Sequence, residues 1–493
     1  MYDTMLMAKR EAPTKSASLD ACVSRYLPEY SGYKMESQGN IAQAWTVPTD
    51  ILLRRNAMDA KVTYPLWRKL YDILIARGVR DETLHEDAEL AMVAERIERR
   101  GFYCPESAMM ELKTGQLAVA DKYLKELREI TGDPSFNPAS PAQVKVKFVE
   151  ILGLGTKEAD GLATDWKTLQ FVKLSQPGTK AARFAECVIE YRSAEKLVGT
   201  YVEGYAKCVG SDGFIHADLR WPGTLTWRFS SSEPNLQNIP REGIVRSMFC
   251  GPDDLWVWEA DYSQFELRAA AALSQDPILV EAFLRGLDLH TDMARTLGWA
   301  TPTKEQRAIG KVLNFGTGYG AGAGQIQTKC MEGDLLISLQ EAGRYVETYW
   351  KRYGRLNEWR RSVMESARKG ERIWGPAGQY AWTLDDMLVA QPGDVEGGLR
   401  SIYNAPIQSP STRYTLMAAG RIEKLGCPAS LQVHDSLMGY AKREDMEEVE
   451  KIVTGAMREV ASDSWWGKVP VLADFKCGPN WNNMKAPTKW RDT

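Results

Sequence analysis

Between Leu255 and Leu273 the chain changes character in a way that admits few local structures. Leu255-Trp256-Val257-Trp258-Glu259-Ala260 is apolar, aromatic and short, which is how a buried strand reads. Asp261-Tyr262-Ser263-Gln264-Phe265-Glu266-Leu267-Arg268 follows. Ala269-Ala270-Ala271-Ala272-Leu273 then continues a helix begun near Gln264. The order is strand, carboxylate, helix, with Asp261 at the exposed C-terminal end of the strand. A carboxylate held there has a rigid base and an open approach for a metal. It would serve equally well as a helix cap.

The chain of 493 residues has room for two or three structural units and a large core. Its formal net charge is only -3, so contact with nucleic acid has to come from local patches rather than a global basic field. The 16 tryptophans suit stacking surfaces and ordinary cores alike. The eight cysteines are scattered without a CxxC pair, which argues against structural zinc and a disulfide framework and fits a reducing cytoplasm. No secretory pattern opens the sequence and no apolar run approaches about 18 residues. The expectation is a soluble, cytoplasmic protein with no membrane partner.

Helical spacing dominates from Leu90 to Ile130, with an interruption at Gly101-Phe102-Tyr103-Cys104-Pro105. Ser140-Pro141 opens another helix at N-cap and N1, and a further one runs from Thr179 to Ala206. Periodicity alone fits a helical bundle with solvated charges. Thr226 to Pro240 is rich in amides and hydroxyls around Arg228, suited to phosphate and minor-groove edges or to a polar surface loop. Beyond Asp288-Leu289-His290 a helix places Arg307, Lys311, Phe315 and Tyr319 four residues apart on one face. Two cations followed by two aromatics suit a triphosphate with a base at its far end, although a solvated face grading into core would look the same. A helix is expected to start after Gln408. Ser430 to Tyr440 reads as a tight hairpin with His434-Asp435 at its turn.

Together these segments resemble the family A DNA polymerases, the bacterial polymerase I and phage replicative type, from about Ala88 to Trp481. Asp261-Tyr262-Ser263-Gln264-x-Glu266-Leu267-Arg268 is similar to motif A. Arg307-x3-Lys311-x3-Phe315-Gly316-x2-Tyr319-Gly320 is similar to motif B, the O helix of the fingers. Gln432-Val433-His434-Asp435 is similar to motif C, and Arg228 to Pro240 to the template-primer motif. The resemblance implies an α/β (α+β) right-hand fold with an antiparallel palm sheet. The implied division is 1–75 as a partial 3′-5′ exonuclease-like segment, 76–210 linker helix and thumb, 211–288 palm, 289–407 fingers and 408–493 palm again.

The implied activity is DNA-templated addition of dNTPs to a primer 3′-hydroxyl with two Mg²⁺ ions, for which Mn²⁺ can substitute. Asp261, Asp435 and the Tyr262 carbonyl are the implied metal ligands. Lys311 would grip the triphosphate and protonate the leaving pyrophosphate, beside Arg307, His290 and Gln264. Phe315 would stack near sugar and base, Tyr319 would hold the template-base position, and Glu266 would exclude a ribose 2′-hydroxyl. Phe315, where some relatives carry tyrosine, implies poor use of dideoxynucleotides. Arg228, Asn235, Gln237, Asn238, Gln408 and His434 align with residues that touch primer and template, and Lys196 and Arg192 would add phosphate contacts from the thumb. A non-catalytic, partner-dependent DNA-binding replisome subunit is the alternative; an RNA-synthesising enzyme is opposed by Glu266.

The sequence departs from the family at three places. Motif C continues with Ser436 instead of glutamate, implying altered metal dependence. Ser409-Pro410-Ser411-Thr412-Arg413 replaces a small glycine-threonine-alanine stretch. Tyr2 to Asp20 and Arg55 to Ala60 resemble parts of a proofreading domain with Asp59 as its metal ligand, yet the first and second exonuclease motifs are missing. Two metals cannot be held by Asp59 alone. The expectations are a chain that does not proofread by itself, an N-terminal segment that is either completed by a separate exonuclease polypeptide or a relic, a processivity factor as a further partner, and, by analogy, a phage replicase in the host cytoplasm.

Overall fold

A computed structural model describes residues 1–31, 47–155, 160–240, 243–376 and 380–490. The rest of the 1–75 segment, residues 32–46, lies outside the described residues. The chain packs as two compact units. Met1–Ile97, Leu219–Ser230 and Arg360–Arg421 form one; Glu98–Asp218, Ser231–Trp359 and Ile422–Thr493 form the other. Among the described residues no helix is long and apolar enough to cross a membrane.

The first unit begins with α1 (Thr4–Glu11), α2 (Leu19–Tyr26), α3 (Thr49–Ala76) and most of α4 (Asp81–Arg100). Asp3 and Ser18 cap α1 and α2 by accepting backbone N–H bonds, which ends each preceding loop sharply. Leu66, Leu70 and Leu74 of α3 are buried at helical spacing against Met7, Val23 and Leu84. Among the described residues of the 1–75 segment, the regular secondary structure is all helical.

In the second unit, α5 (Glu106–Thr131), α6 (Pro141–Leu152), α7 (Trp166–Ser175) and α8 (Lys180–Lys196) enclose Leu127, Phe136, Phe148, Leu169 and Phe184. Ser140 and Thr179 are the N-caps of α6 and α8. The expected run to Ala206 is continuous, passing through a π-helical stretch at Leu197–Glu203.

The sheet comprises β1 (Trp256–Tyr262), β2 (Ala429–Val433), β3 (Ser436–Ala441), β4 (Ala473–Asn480) and β5 (Asn483–Lys485). Its spatial order is β5-β4-β1-β3-β2, antiparallel throughout. Because side chains alternate along β1, Trp258, Ala260 and Tyr262 go to the core at 0–1% exposure while Glu259 and Asp261 face the open side. Asp261 is not the last strand residue; pairing extends through Tyr262 to Ala473 of β4.

Three helices follow β1 and carry the remaining motif residues: α9 (Phe265–Ser274), α10 (Leu289–Thr296) and α11 (Lys304–Gly316). The α-helix of motif B ends at Gly316, and Tyr319 closes a 3₁₀ turn instead. The four-residue spacing therefore does not continue to Tyr319. The tighter turn rotates it off the face of Arg307, Lys311 and Phe315.

A second correction concerns α12 (Val395–Lys424), which contains Pro406 and Pro410 in its interior. A proline removes one i→i−4 bond and usually marks a boundary, hence the expected start after Gln408. Here burial overrides it. Ile402, Tyr403, Ala405, Ile407, Tyr414 and Leu416 are each at most 2% exposed.

Candidate active site

Asp261 and Asp435 come from different strands of one sheet and meet at its end. The β2–β3 hairpin reverses at His434 and Asp435, with His434 in the left-handed region at φ 54°. The Tyr262 N–H donates to the Asp435 carbonyl at 3.3 Å, joining the end of β1 to that turn. Both carboxylates line a cavity of about 300 Å³ with Glu259, Arg246, His434, Ser436, Asp474 and Lys476. Ladder register places Asp261 between Ser436 of β3 and Asp474 of β4. Tyr262 is anchored from behind, its phenol donating to the Met457 carbonyl at 2.8 Å.

The donor chemistry fits Mg²⁺. Two carboxylates and a backbone carbonyl are hard oxygen ligands, few enough to leave positions for substrate oxygens and water. Ser436 adds no ligand. It is 4% exposed, and its hydroxyl donates to the Val433 carbonyl at 2.8 Å. Glu266, in the first turn of α9, is half-buried beside Asp435. Burial first, then that neighbouring charge, push its carboxyl up to about 8. Gln264 precedes the helix at φ 50°. Arg268 straps the turn by donating to the carbonyls of Ser263 and Pro470 at 2.7 and 2.6 Å.

Arg307, Lys311, His290 and Phe315 form a second cluster on α10 and α11. Thr303 and Gln306 make a capping box that starts α11. Gly310 sets the spacing of the two helices, because a Cβ there would overlap the His290 carbonyl. His290 is 6% exposed, takes a 3.1 Å contact from Asn314 at Nδ1, and lies 5.5 Å from the Phe315 ring. Burial pushes its imidazole down to about 4, and the Arg307 and Lys311 cations push the same way.

Asp288 was missed as a functional position by sequence reasoning. It caps α10 by accepting from His290 N–H at 3.1 Å, and accepts from Arg307 Nε at 2.6 Å. Hydrogen bonds from Arg307, Thr291 and His290 hold its carboxyl well below the usual carboxylate range, against the opposing pull of burial. The signal was an Asp two residues before a histidine at a helix start. The cation it restrains lies 19 residues on.

The template-primer motif docks on the hairpin. Gln237 Nε2 donates to Gln432 Oε1 at 3.0 Å, and Gln432 in turn donates to the His434 carbonyl. Gln432 is fully buried, and a glutamine inside an otherwise apolar strand was the clue to it. Asn235 accepts from Gln237 N–H at 3.0 Å, and the carbonyls of Asn235 and Asn238 accept from Tyr205 and Tyr201. Arg192 differs from expectation. Its guanidinium donates to the carbonyls of Pro138 and Thr164 at 3.0 and 2.5 Å, and burial lowers its pKa. It therefore braces loops, whereas Lys196 is exposed. Arg228 and Gln408 are half-buried and belong to the other unit.

The profile of DNA polymerase family A matches residues 107–483. DNA polymerase I of Streptococcus pneumoniae is 30% identical over 419 residues, covering 80% of this chain and 45% of its own. DNA polymerase I of Synechocystis is 28% identical over 522 residues, covering 98% of this chain and 51% of its own. The chain thus spans about half the length of these relatives. The POL domain of Pol1 from M. smegmatis, solved in complex with DNA primer-template and dNTP, superposes with a TM-score of 0.77 at 26% identity. That likeness covers 97% of this chain and 82% of the other, and it carries the right-hand architecture with its antiparallel palm sheet.

Proposed function

The chain belongs to DNA polymerase family A, and from that premise we propose that it extends a primer 3′-hydroxyl on a DNA template with dNTPs. The observation that carries this reading is the Tyr262–Asp435 backbone bond, which sets Asp261 and Asp435 into one cavity. Asp261, Asp435 and the Tyr262 carbonyl would hold Mg²⁺ or Mn²⁺, which when bound lowers the pKa of the attacking hydroxyl and neutralises charge on the leaving oxygens.

The remaining work falls to side chains. Arg307 and Lys311 bind the triphosphate, and Lys311 delivers a proton to the departing pyrophosphate. His290, neutral above about pH 4, offers a hydrogen bond without competing for the phosphates' counter-charge. Phe315 orients the nucleoside, Tyr319 stands at the template-base position, and Glu266 fills the space a ribose 2′-hydroxyl needs. Arg228, Asn235, Gln237, Asn238, Gln408, His434 and Lys196 contact the duplex through its backbone and minor groove, so affinity falls with salt and not with sequence. We assign 88–210 to the thumb, 211–288 with 408–493 to the palm and 289–407 to the fingers.

This chain by itself does not proofread. Asp59 sits on α3 in a segment whose regular secondary structure, among the described residues, is all helical, without the strand-borne carboxylates that a two-metal nuclease requires. Primer extension by the purified chain tests the proposal, comparing dNTPs with rNTPs and wild type with Asp435→Ala. Extension restricted to dNTPs and lost in the variant is expected. Tight primer–template binding with no extension would mean a DNA-binding subunit instead.

A further inference from the structure

Arg10, in the exonuclease-like segment, is buried far more deeply than a relic requires. Its Nε and Nη2 donate to Asp87 Oδ2 at 2.9 and 2.5 Å, and the two side chains are 3% and 2% exposed. Its guanidinium carbon lies 4.8 Å from the Trp227 ring centroid and 4.7 Å from that of Tyr380. Those two rings stack on each other at 4.4 Å. The other oxygen of Asp87 lies 3.6 Å from Arg413 Nη1, and Arg413 also pairs with Glu86. The unusual Arg413 thus completes a set of three buried groups, Arg10, Asp87 and Arg413, with the half-buried Glu86 at its edge. All of these residues belong to one compact unit.

Trp227 is the residue on which this set acts. Its φ is 61°, a left-handed conformation that a bulky L-residue keeps only where its surroundings over-determine it. The surroundings do so. Arg10 and Tyr380 hold the ring, Trp221 packs edge-on at 5.7 Å, and Trp382 Nε1 donates to the Leu225 carbonyl at 2.6 Å. Arg228 follows directly, its N–H donating to Thr224 Oγ1 at 3.0 Å and its carbonyl accepting from Gly223 at 2.9 Å. Fixing Trp227 therefore fixes where Arg228 starts. Through Asp87, the same charge set also grips α12, the helix that carries Gln408.

We propose that Arg10 is a positioning residue for primer–template binding: through Asp87, Trp227 and Arg413 it sets the loop and helix that present Arg228 and Gln408 to the sugar–phosphate backbone of the duplex. The N-terminal segment is then a working part of the polymerase. This rests on the reading of Arg228 and Gln408 as duplex contacts.

The test is Arg10→Lys. Lysine keeps the charge against Asp87 but lacks the planar guanidinium that reaches Asp87 through two donors while touching both rings. Primer–template Kd, measured by fluorescence anisotropy with unreactive dideoxy-ended primer, should rise roughly five- to tenfold, the worth of a desolvated cation–π contact. The dNTP KM and the kcat at saturating primer–template should stay those of the wild type, while the melting temperature falls with the weakened buried pair. Unchanged Kd would overturn the proposal. So would a higher dNTP KM alongside the weaker primer–template binding, which would mark a purely structural role. If Arg10→Lys does not fold, Arg10→Met with Asp87→Leu fills the same space, leaves Arg413 paired with Glu86, and must show the same split. A wild-type chain that binds no primer–template would instead sink the polymerase reading itself.

Discussion

Replacing Asp288 with asparagine isolates its restraint on Arg307. Two hydrogen bonds of 2.6 and 3.2 Å join the side chains, which are 40% and 46% exposed. At that exposure the pair is screened and contributes about 0.5–1 kcal/mol. A triphosphate that takes Arg307 has to displace or share that carboxylate, so part of its binding energy offsets the lost pair. Asparagine caps a helix as well as aspartate does, so the bond from His290 N–H survives the substitution. Asp288→Asn should therefore lower the dNTP KM by up to about fivefold, the factor that ~1 kcal/mol supplies. The kcat and melting temperature should hold. The gain should shrink at high salt, where the wild-type pair is already weak. Single-nucleotide incorporation over a dNTP series at two salt concentrations measures this. Asp288→Ala is the control, because loss of the cap costs about 1 kcal/mol of stability whatever happens to Arg307. A higher KM in Asp288→Asn would refute the reasoning, since the carboxylate would then be aiming Arg307 and not withholding it.

Gly310→Ala forces a methyl group onto the His290 carbonyl, so unfolding free energy should drop by about 1–3 kcal/mol and the dNTP KM should rise as α10 and α11 separate. His290 has its pKa depressed on folding, so between about pH 4 and 6.5 the unfolded chain holds a proton that the folded chain lacks. Stability should rise with pH across that window and be lost as pH falls through it. Urea titrations at pH 5 and pH 7 should show a smaller difference in His290→Gln than in wild type. Ser436→Glu puts a carboxylate opposite Asp261 in the ladder, so the metal-free protein should melt earlier and half-maximal extension should need less Mg²⁺; no change in either would defeat the idea. Phe315→Tyr should raise incorporation of ddTTP relative to dTTP, read from paired single-turnover rates.

Much of the site was legible because its parts are local. A strand with a carboxylate one residue before its end, a hairpin turned at His434-Asp435 and a helix with cations at four-residue spacing each depend on a few neighbouring residues, and the hairpin and the helix stand where the sequence pointed. The misreadings came where local preference met tertiary burial. Pro406 and Pro410 should have opened a helix and instead lie inside one, because the apolar residues around them are packed on all sides. Tyr319 left the helical face when the last turn tightened. Arg192 looked like a phosphate contact, yet two loop carbonyls far away in sequence claim its donors.

By itself, the order of residues indicated the strand, turn and helix elements through short-range periodicity and, through the resemblance of its motifs, the polymerase family. Only the tertiary structure decided how charges are shared. Asp288 restrains Arg307, Gln237 reaches Gln432, and Arg10 meets Asp87, Trp227 and Tyr380, across separations from 19 to 195 residues in the bonded pairs. A side chain's charge is written in the sequence. Which partner neutralises it depends on distance and dielectric, and both are set only when the chain has packed.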